Sequence, residues 1–383
     1  AKFKNIMKDA ARYVRFATAA YGVSMIDSAD LLQVFGKKLV VVPVIEGASK
    51  TLRKRKMSRY INVAEENIID STSPCESMDL IGHFIAVDKR KTAVGHSDGA
   101  VVLAIRGTYT LSGLNIDASA CSRKYCGGVA HGGIASRADA LWDHSKTKIV
   151  EELIKNPGYD LVITGHSLGA GVASLIALKL NYEKVLGKIN PLLENVKVKC
   201  FVFAPPPVYF QLEHDEKVTN AMSRIYPFIH ENDCVPFLSV DAVRRLAGTI
   251  EKVDNITKSN FVSRPLMAAG LKEIPEEVVK TVFDDHTACL PPGVHAQRLA
   301  IPAPFVMWMR HIDDDKHKRP VYNTMFCRPH HQNAAIGTND LNIMLDSAMM
   351  SDHFNPNYER AVNSILEQVL HKKQGYVFPE SST

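Results

Sequence analysis

The sequence predicts an α/β fold with a mostly parallel central sheet flanked by helices. Three observations carry this. Strand-like and helix-like runs alternate through the middle of the chain, the pattern of a parallel sheet covered on both faces. The strand runs, such as "AVVLAI" at 100–105 and the "LVI" that follows Asp160 in the strand at 160–163, are apolar throughout, as strands buried on both sides must be. A glycine-flanked serine, "TGHSLGAG" at 164–171, stands between one such strand and an apolar helical run.

Taken in order, residues 2–21 have helical apolar spacing with Lys and Arg on the opposite face, and Gly22 marks a turn. Residues 37–45, "KKLVVVPVI", are strand-like but broken by Pro43. The run 49–60 holds six basic residues and reads as a solvated loop, with contact to anionic lipid headgroups as the functional alternative. Residues 80–107 read as two strands and a turn, and 135–155 as a helix. The strand at 160–163 and a helix from 168 follow. A strand at 196–208 ends on three prolines, and 223–239 reads as a strand and a loop. Residues 240–280 look helical, 285–350 show no period, and 355–373 form a closing helix. Without repeats or a linker-like stretch, the 383 residues are expected to form one domain, 1–383.

A net charge of +5 is far from a nucleic-acid-binding excess, so no nucleic-acid partner is expected. Seven irregularly spaced cysteines fit free thiols in a reducing compartment, with a Cys121–Cys126 disulfide as the alternative. No apolar run reaches the ~18 residues of a membrane span, and the start has no signal-peptide pattern. These features favour an intracellular, membrane-peripheral location.

Gly165-His166-Ser167-Leu168-Gly169 fits G-x-S-x-G between strand and helix. A serine on so tight a corner projects its hydroxyl above the sheet, and the glycines remove side chains that would collide as helix meets strand. The helix N-terminus adds free N–H groups where negative charge develops. A serine hydroxyl is a weak nucleophile and needs a base held by an acid. On such a corner the order along the chain is serine, acid, histidine. Asp233, in "HENDCVP" after a strand, is the best acid, with Asp284 and Asp285 as competitors. For the base, His353 stands in a loop just before the last helix; His286, His295 and the pair His330-His331 lack that setting. The oxyanion donors are expected to be the N–H groups of Leu168 and of Thr108, in the loop after the strand at 101–105. The largely apolar residues 109–116 read as a flap over the site. His311, His317, His330 and His331 match no ligand spacing, so neither metal nor cofactor is expected.

Together these residues resemble the class 3 (fungal-type) lipases, and within them the sn-1-specific diacylglycerol lipase-like branch. The resemblance runs through "RYVRFATAAYG", "VVLAIRGTYTLSGLNIDAS", "AHGGIASRADAL", "ITGHSLGAGVASL", "FAPPPV", "ENDCVPFLS", "LPPGVH" and "SDHFNPNYERAV". It implies an α/β-hydrolase fold and hydrolysis of acylglycerol esters at a lipid interface without metal or organic cofactor. The family's nucleophile falls on Ser167, its acid on Asp233, its base on His353, and its oxyanion donors on Thr108 and Leu168. A phospholipase A1, a general carboxylesterase or a non-catalytic lipase-like scaffold are the alternatives.

Overall fold

The computed structural model describes residues 2–35, 50–72, 80–108, 122–238, 299–312, 321–327 and 348–371, with short pieces at 248, 251–252, 255, 276–278 and 280. The chain enters through α1 (Lys2–Ala19), α2 (Val23–Phe35) and α3 (Lys50–Ile61). An edge of antiparallel strands follows: β1 (Ile68–Thr72), β2 (His83–Asp88) and β3 (Gly99–Ile105). A hairpin, β4 (Ser122–Tyr125) and β5 (Gly128–His131), leads into the long helix α4 (Gly132–Lys155). Then come β6 (Tyr159–His166), α5 (Leu168–Glu183), β7 (Val198–Phe203), β8 (Tyr209–Gln211) and β9 (Ile225–His230). The strands β10 (Val306–Ile312) and β11 (Val321–Cys327) and the closing helix Asn355–His371 complete the described chain.

The main sheet has eight strands in the order β1-β2-β3-β6-β7-β9-β10-β11. Its centre, β3, β6, β7, β9 and β10, is parallel, and antiparallel strands extend both edges. This is the α/β-hydrolase fold: a mostly parallel sheet with helices on both faces. A separate three-stranded antiparallel sheet joins β4, β5 and β8.

Two hydrophobic layers hold the sheet. On one face α4 and α5 pack through Leu141, Ile149, Leu175 and Ile176 onto Leu103, Ile163 and Cys200. On the other, α1 and the closing helix bring Ile6, Tyr13, Phe16, Tyr358 and Val362 against Val102, Val162 and Phe201. Each large apolar side chain withdrawn from water contributes about 1.5–3 kcal/mol. The strands alternate between the two layers, which explains why β3 is buried at every position.

Three expectations need correction. The basic run 49–60 is not a loop but the helix α3. Met57, Tyr60 and Ile61 anchor it in the second layer, while Lys56 pairs with Asp27 at 2.8 Å and Arg55 with Glu65 at 3.7 Å. The segment 285–350, which showed no period, contains β10 and β11. Their charged ends, Arg310 and His311, reach out of the sheet and obscure the apolar Val306, Met307 and Met309 that enter it. The stretch 196–208 is not one strand, because β7 stops at Phe203 and the prolines 205–207 lie beyond it.

The strand expected at 37–45 and the flap at 109–116 lie outside the described residues, as does most of 240–280. Cys126, Cys200, Cys234 and Cys327 are free thiols, whereas Cys121 also lies outside the described residues. Among the described residues no helix is long and apolar enough to cross a membrane.

Candidate active site

Ser167 sits between β6 and α5 with φ 59° and ψ −131°. Glycine adopts such angles freely, and other residues pay about 1–3 kcal/mol. The corner is held by the sheet on one side, where Ser167 N–H donates to Phe203 O at 3.0 Å. On the other, Ala170 N–H donates to Ser167 O at 2.9 Å. The flanking glycines are needed for contact rather than for turning. A Cβ on Gly165 would lie 2.5 Å from Gly169 O, and one on Gly169 would strike the Ile105 carbonyl.

The structure brings Ser167, His353 and Asp233 together in a row. His353 follows the short helix Met349–Asp352, and its Nε2 lies 3.0 Å from Ser167 Oγ. Its Nδ1 lies 3.0 and 2.9 Å from the two carboxylate oxygens of Asp233. A carboxylate only accepts, so Nδ1 carries the proton and Nε2 presents its lone pair to the serine hydroxyl. Asp233 stands just past β9 and is fully buried. A buried carboxylate is tolerated only with full hydrogen bonding. Besides His353 it accepts from Val235 N–H at 2.9 Å and from the Tyr358 hydroxyl at 2.5 Å.

Leu168 opens α5, where the first N–H groups have no acceptor inside the helix. Thr108 is half-buried. Its neighbour Gly107 is packed so closely that a Cβ there would meet Ser167 Cβ at 3.0 Å. The loop 106–108 thus passes directly beside the serine, with Arg106 N–H tied back to Gly82 O at 2.8 Å.

Sequence reading missed the supports of this row. Tyr358, in the closing helix, grips Asp233 and also accepts from His230 N–H at 3.1 Å. His166, buried beside the serine, donates from Nε2 to the His353 carbonyl at 2.9 Å. Its Nδ1 accepts from the Tyr21 hydroxyl at 2.9 Å. His230 donates from Nδ1 to Asp352 O at 3.0 Å, fixing the residue before His353. The one available signal was the phase of the closing helix, which puts Tyr358 on its buried side.

Burial, with no compensating carboxylate in contact, pushes the His166 imidazole well below its ordinary value, and the nearby His353 adds to this. Burial lowers His230 too, opposed by Asp352. The unfolded chain takes up a proton on His166 below about pH 6.5, and the folded chain does not. Stability from this site is therefore complete above about pH 6.5 and falls as the pH drops, by up to about 1.4 kcal/mol per pH unit. The variant His166→Gln keeps one donor and one acceptor without the titration. Urea midpoints between pH 7.5 and 5 should fall less steeply for it than for the parent, and equal slopes would remove His166 from the acid response.

Residues 102–242 match the family model described as lipase (class 3). The resemblance to the class 3 lipases is real. Named relatives are similar over part of their length. The secreted mono- and diacylglycerol lipase A of Penicillium cyclopium is 32% identical over 173 residues, covering 44% of this chain and 53% of the relative. The diacylglycerol lipase-beta of Mus musculus is 33% identical over 123 residues, covering 29% of this chain and 16% of that one. The chain thus spans about half the length of the first relatives, 53%. Among solved structures, a fungal lipase aligns at a TM-score of 0.47 and 18% identity, covering 92% of this chain and 98% of that one. The lipase of Rhizopus microsporus var. chinensis aligns at 0.41 and 16%, covering 61% and 69%. The class 3 match begins in β3 and ends beyond Asp233, so it includes Thr108, Ser167 and Leu168 but not His353.

Proposed function

We propose that this chain is a serine ester hydrolase of the acylglycerol lipase type, acting on diacylglycerol or triacylglycerol at a lipid interface. The observation that carries the reading is the row Ser167–His353–Asp233, with 3.0 Å from Oγ to Nε2 and 2.9 Å from Nδ1 to the carboxylate, set on a strained corner. The class 3 match, and the similarity to a mono- and diacylglycerol lipase and to a diacylglycerol lipase, support acylglycerols as the substrate class.

In this mechanism Ser167 Oγ attacks the ester carbonyl as His353 Nε2 takes its proton. Asp233 holds the imidazole in the required tautomer and stabilises the imidazolium. The Leu168 and Thr108 N–H groups receive the oxyanion, and loss of one such donor costs about 100- to 1000-fold in rate. The C–O bond to glycerol breaks as His353 returns its proton to the departing alkoxide. Water, deprotonated by the same Nε2, then attacks the acyl-enzyme and releases the fatty acid. The site needs segments from β3 to the closing helix, which supports the chain acting as one catalytic domain. The basic face of α3 is a surface for anionic headgroups within this reading, because Arg53, Lys54 and Arg55 all retain exposure to solvent.

The test is a fluorophosphonate ester, which traps serine hydrolases as a covalent adduct, together with a panel of diacylglycerol, triacylglycerol, phosphatidylcholine and a soluble p-nitrophenyl ester. Expected are a mass shift on the peptide containing Ser167 and release of fatty acid from the acylglycerols. Cleavage of phosphatidylcholine in preference would make the chain a phospholipase A1. Cleavage of the soluble ester alone would make it a carboxylesterase. Neither adduct nor turnover from folded protein with lipid present would leave a non-catalytic scaffold.

A further inference from the structure

A second cluster of chemistry-bearing side chains lies at the opposite side of β3 from Ser167, where β1 and β2 meet α4. Asp70, His83 and His144 each place one ligand-type atom within 4.8 Å of the other two. They come from three elements, β1, β2 and α4. The register Asp70↔Ile85 and Thr72↔His83 puts Asp70 and His83 on one face of the sheet. That face is the one α4 covers, since Ile85 and Leu141 share a layer.

His83 is the telling residue. It is only 2% exposed. Its Nδ1 lies 3.0 Å from Ile81 O, and a carbonyl only accepts, so Nδ1 carries the ring proton. Nε2 is left as a lone pair, buried and without a hydrogen-bond partner among the described residues. A buried acceptor without a partner is unfavourable, and a ligand that engages it removes that cost. An imidazole fixed by an Nδ1–H to carbonyl bond, with Nε2 free, is also the usual state of a metal-ligating histidine. The His144 ring stands edge-on to it at 5.4 Å between centroids.

We propose that Asp70, His83 and His144 form a binding site for a divalent d-block cation, Zn²⁺ foremost. Two imidazoles and one carboxylate suit such an ion, with water completing the coordination. No sequence pattern marks the site, because the three ligands sit on separate elements and follow no regular spacing. Exposed His144 and half-buried Asp70 have the freedom to close the remaining distance onto the fixed His83. One group opposes the ion: Lys148, one turn beyond His144 on α4, holds Asp70 Oδ2 at 2.6 Å. The cation must displace that ammonium, which sets a sharp test. The site would tie β1 and β2 to α4. His83 pairs with Ile105 at the end of β3, directly before the loop that carries Thr108.

The experiment is calorimetric titration of Zn²⁺ into the chelator-treated full chain, with Co²⁺ and its visible d–d bands as a spectroscopic second readout. Exposed His144 and Lys148 and half-buried Asp70 are changed as His144→Ala, Lys148→Met and Asp70→Asn, with folding checked by circular dichroism. Outer partners of metal ligands alone are worth about 10- to 100-fold in affinity. Loss of a direct ligand in His144→Ala or Asp70→Asn should therefore weaken binding more than about tenfold. Lys148→Met should tighten it. Absence of Zn²⁺ binding by the parent chain would overturn the proposal. So would equal binding by the parent, His144→Ala and Asp70→Asn, since the ion would then reside elsewhere.

Discussion

Ser167→Ala lowers kcat on the preferred ester by on the order of 10⁶-fold, while Ser167→Gly does the same and raises stability by about 1 kcal/mol. The two variants separate chemistry from conformation. Both remove Oγ, the atom 3.0 Å from His353 Nε2, so both remove the nucleophile. Only glycine also relieves the φ of 59° at this position. The relief, about 1–3 kcal/mol, exceeds the ~0.5–1 kcal/mol that glycine loses through its freer unfolded chain. Alanine keeps the strain and should melt close to the parent. The measurements are kcat under saturating lipid and urea unfolding of all three proteins. A glycine variant no more stable than the alanine variant would mean that the corner is not strained. An alanine variant that keeps more than about 10⁻³ of the parent rate would take the nucleophile away from Ser167.

The corner was legible because its chemistry is local. A strand, a serine and small residues stand within one stretch, 160–173, and each is demanded by a contact now visible: Gly165 against Gly169 O, Gly169 against the Ile105 carbonyl. Asp233 was legible from its place after a strand and before a proline, and His353 from its place before the closing helix. Those positions reflect topology, since β9 lies two strands from β6 and delivers its end to the same rim of the sheet. The parallel core was legible because buried strands are continuously apolar. The edges were not. β10 and β11 pair antiparallel, and β11 is half-exposed, so polar residues interrupt their pattern. The helix α3 was misread because charge dominates its composition, while Met57, Tyr60 and Ile61 do the packing. The supports of the triad were hidden for a different reason: Tyr21, His166 and His230 left no trace, and Tyr358 showed only as a buried position of the closing helix. Each acts through a hydrogen bond spanning many residues of sequence, 145 for Tyr21 to His166 and 125 for Tyr358 to Asp233, and no local pattern marks such a partner.

Asp233→Asn lowers kcat by about 10³- to 10⁴-fold with little change in KM. The size follows from which way the amide must face. Val235 N–H donates to Oδ1 at 2.9 Å, so the amide nitrogen cannot occupy that side without setting two donors against each other in a buried place. It must therefore take the Oδ2 side, where it meets His353 Nδ1 at 2.9 Å and the Tyr358 hydroxyl at 2.5 Å, while Oδ1, 3.0 Å from the same Nδ1, is already engaged by Val235 N–H. The tyrosine can turn to accept. The imidazole responds by shifting its proton from Nδ1 to Nε2, the nitrogen that must receive the serine proton. The base is then blocked by its own hydrogen, although the three side chains stand where they did. Adding Tyr358→Phe tests this account, because it removes the second group that fixes the orientation of residue 233. In the parent background Tyr358→Phe withdraws one bond from a buried charge, worth about 1.5–3 kcal/mol of stability. In the Asp233→Asn background it withdraws only a bond to a neutral amide, worth about 0.5–1.5 kcal/mol. The double-mutant cycle should therefore show coupling between 233 and 358 in stability. Additive stability losses would mean that Tyr358 fills space beside Asp233 without holding its charge, and the rate loss of Asp233→Asn would then need a cause other than the orientation of the amide.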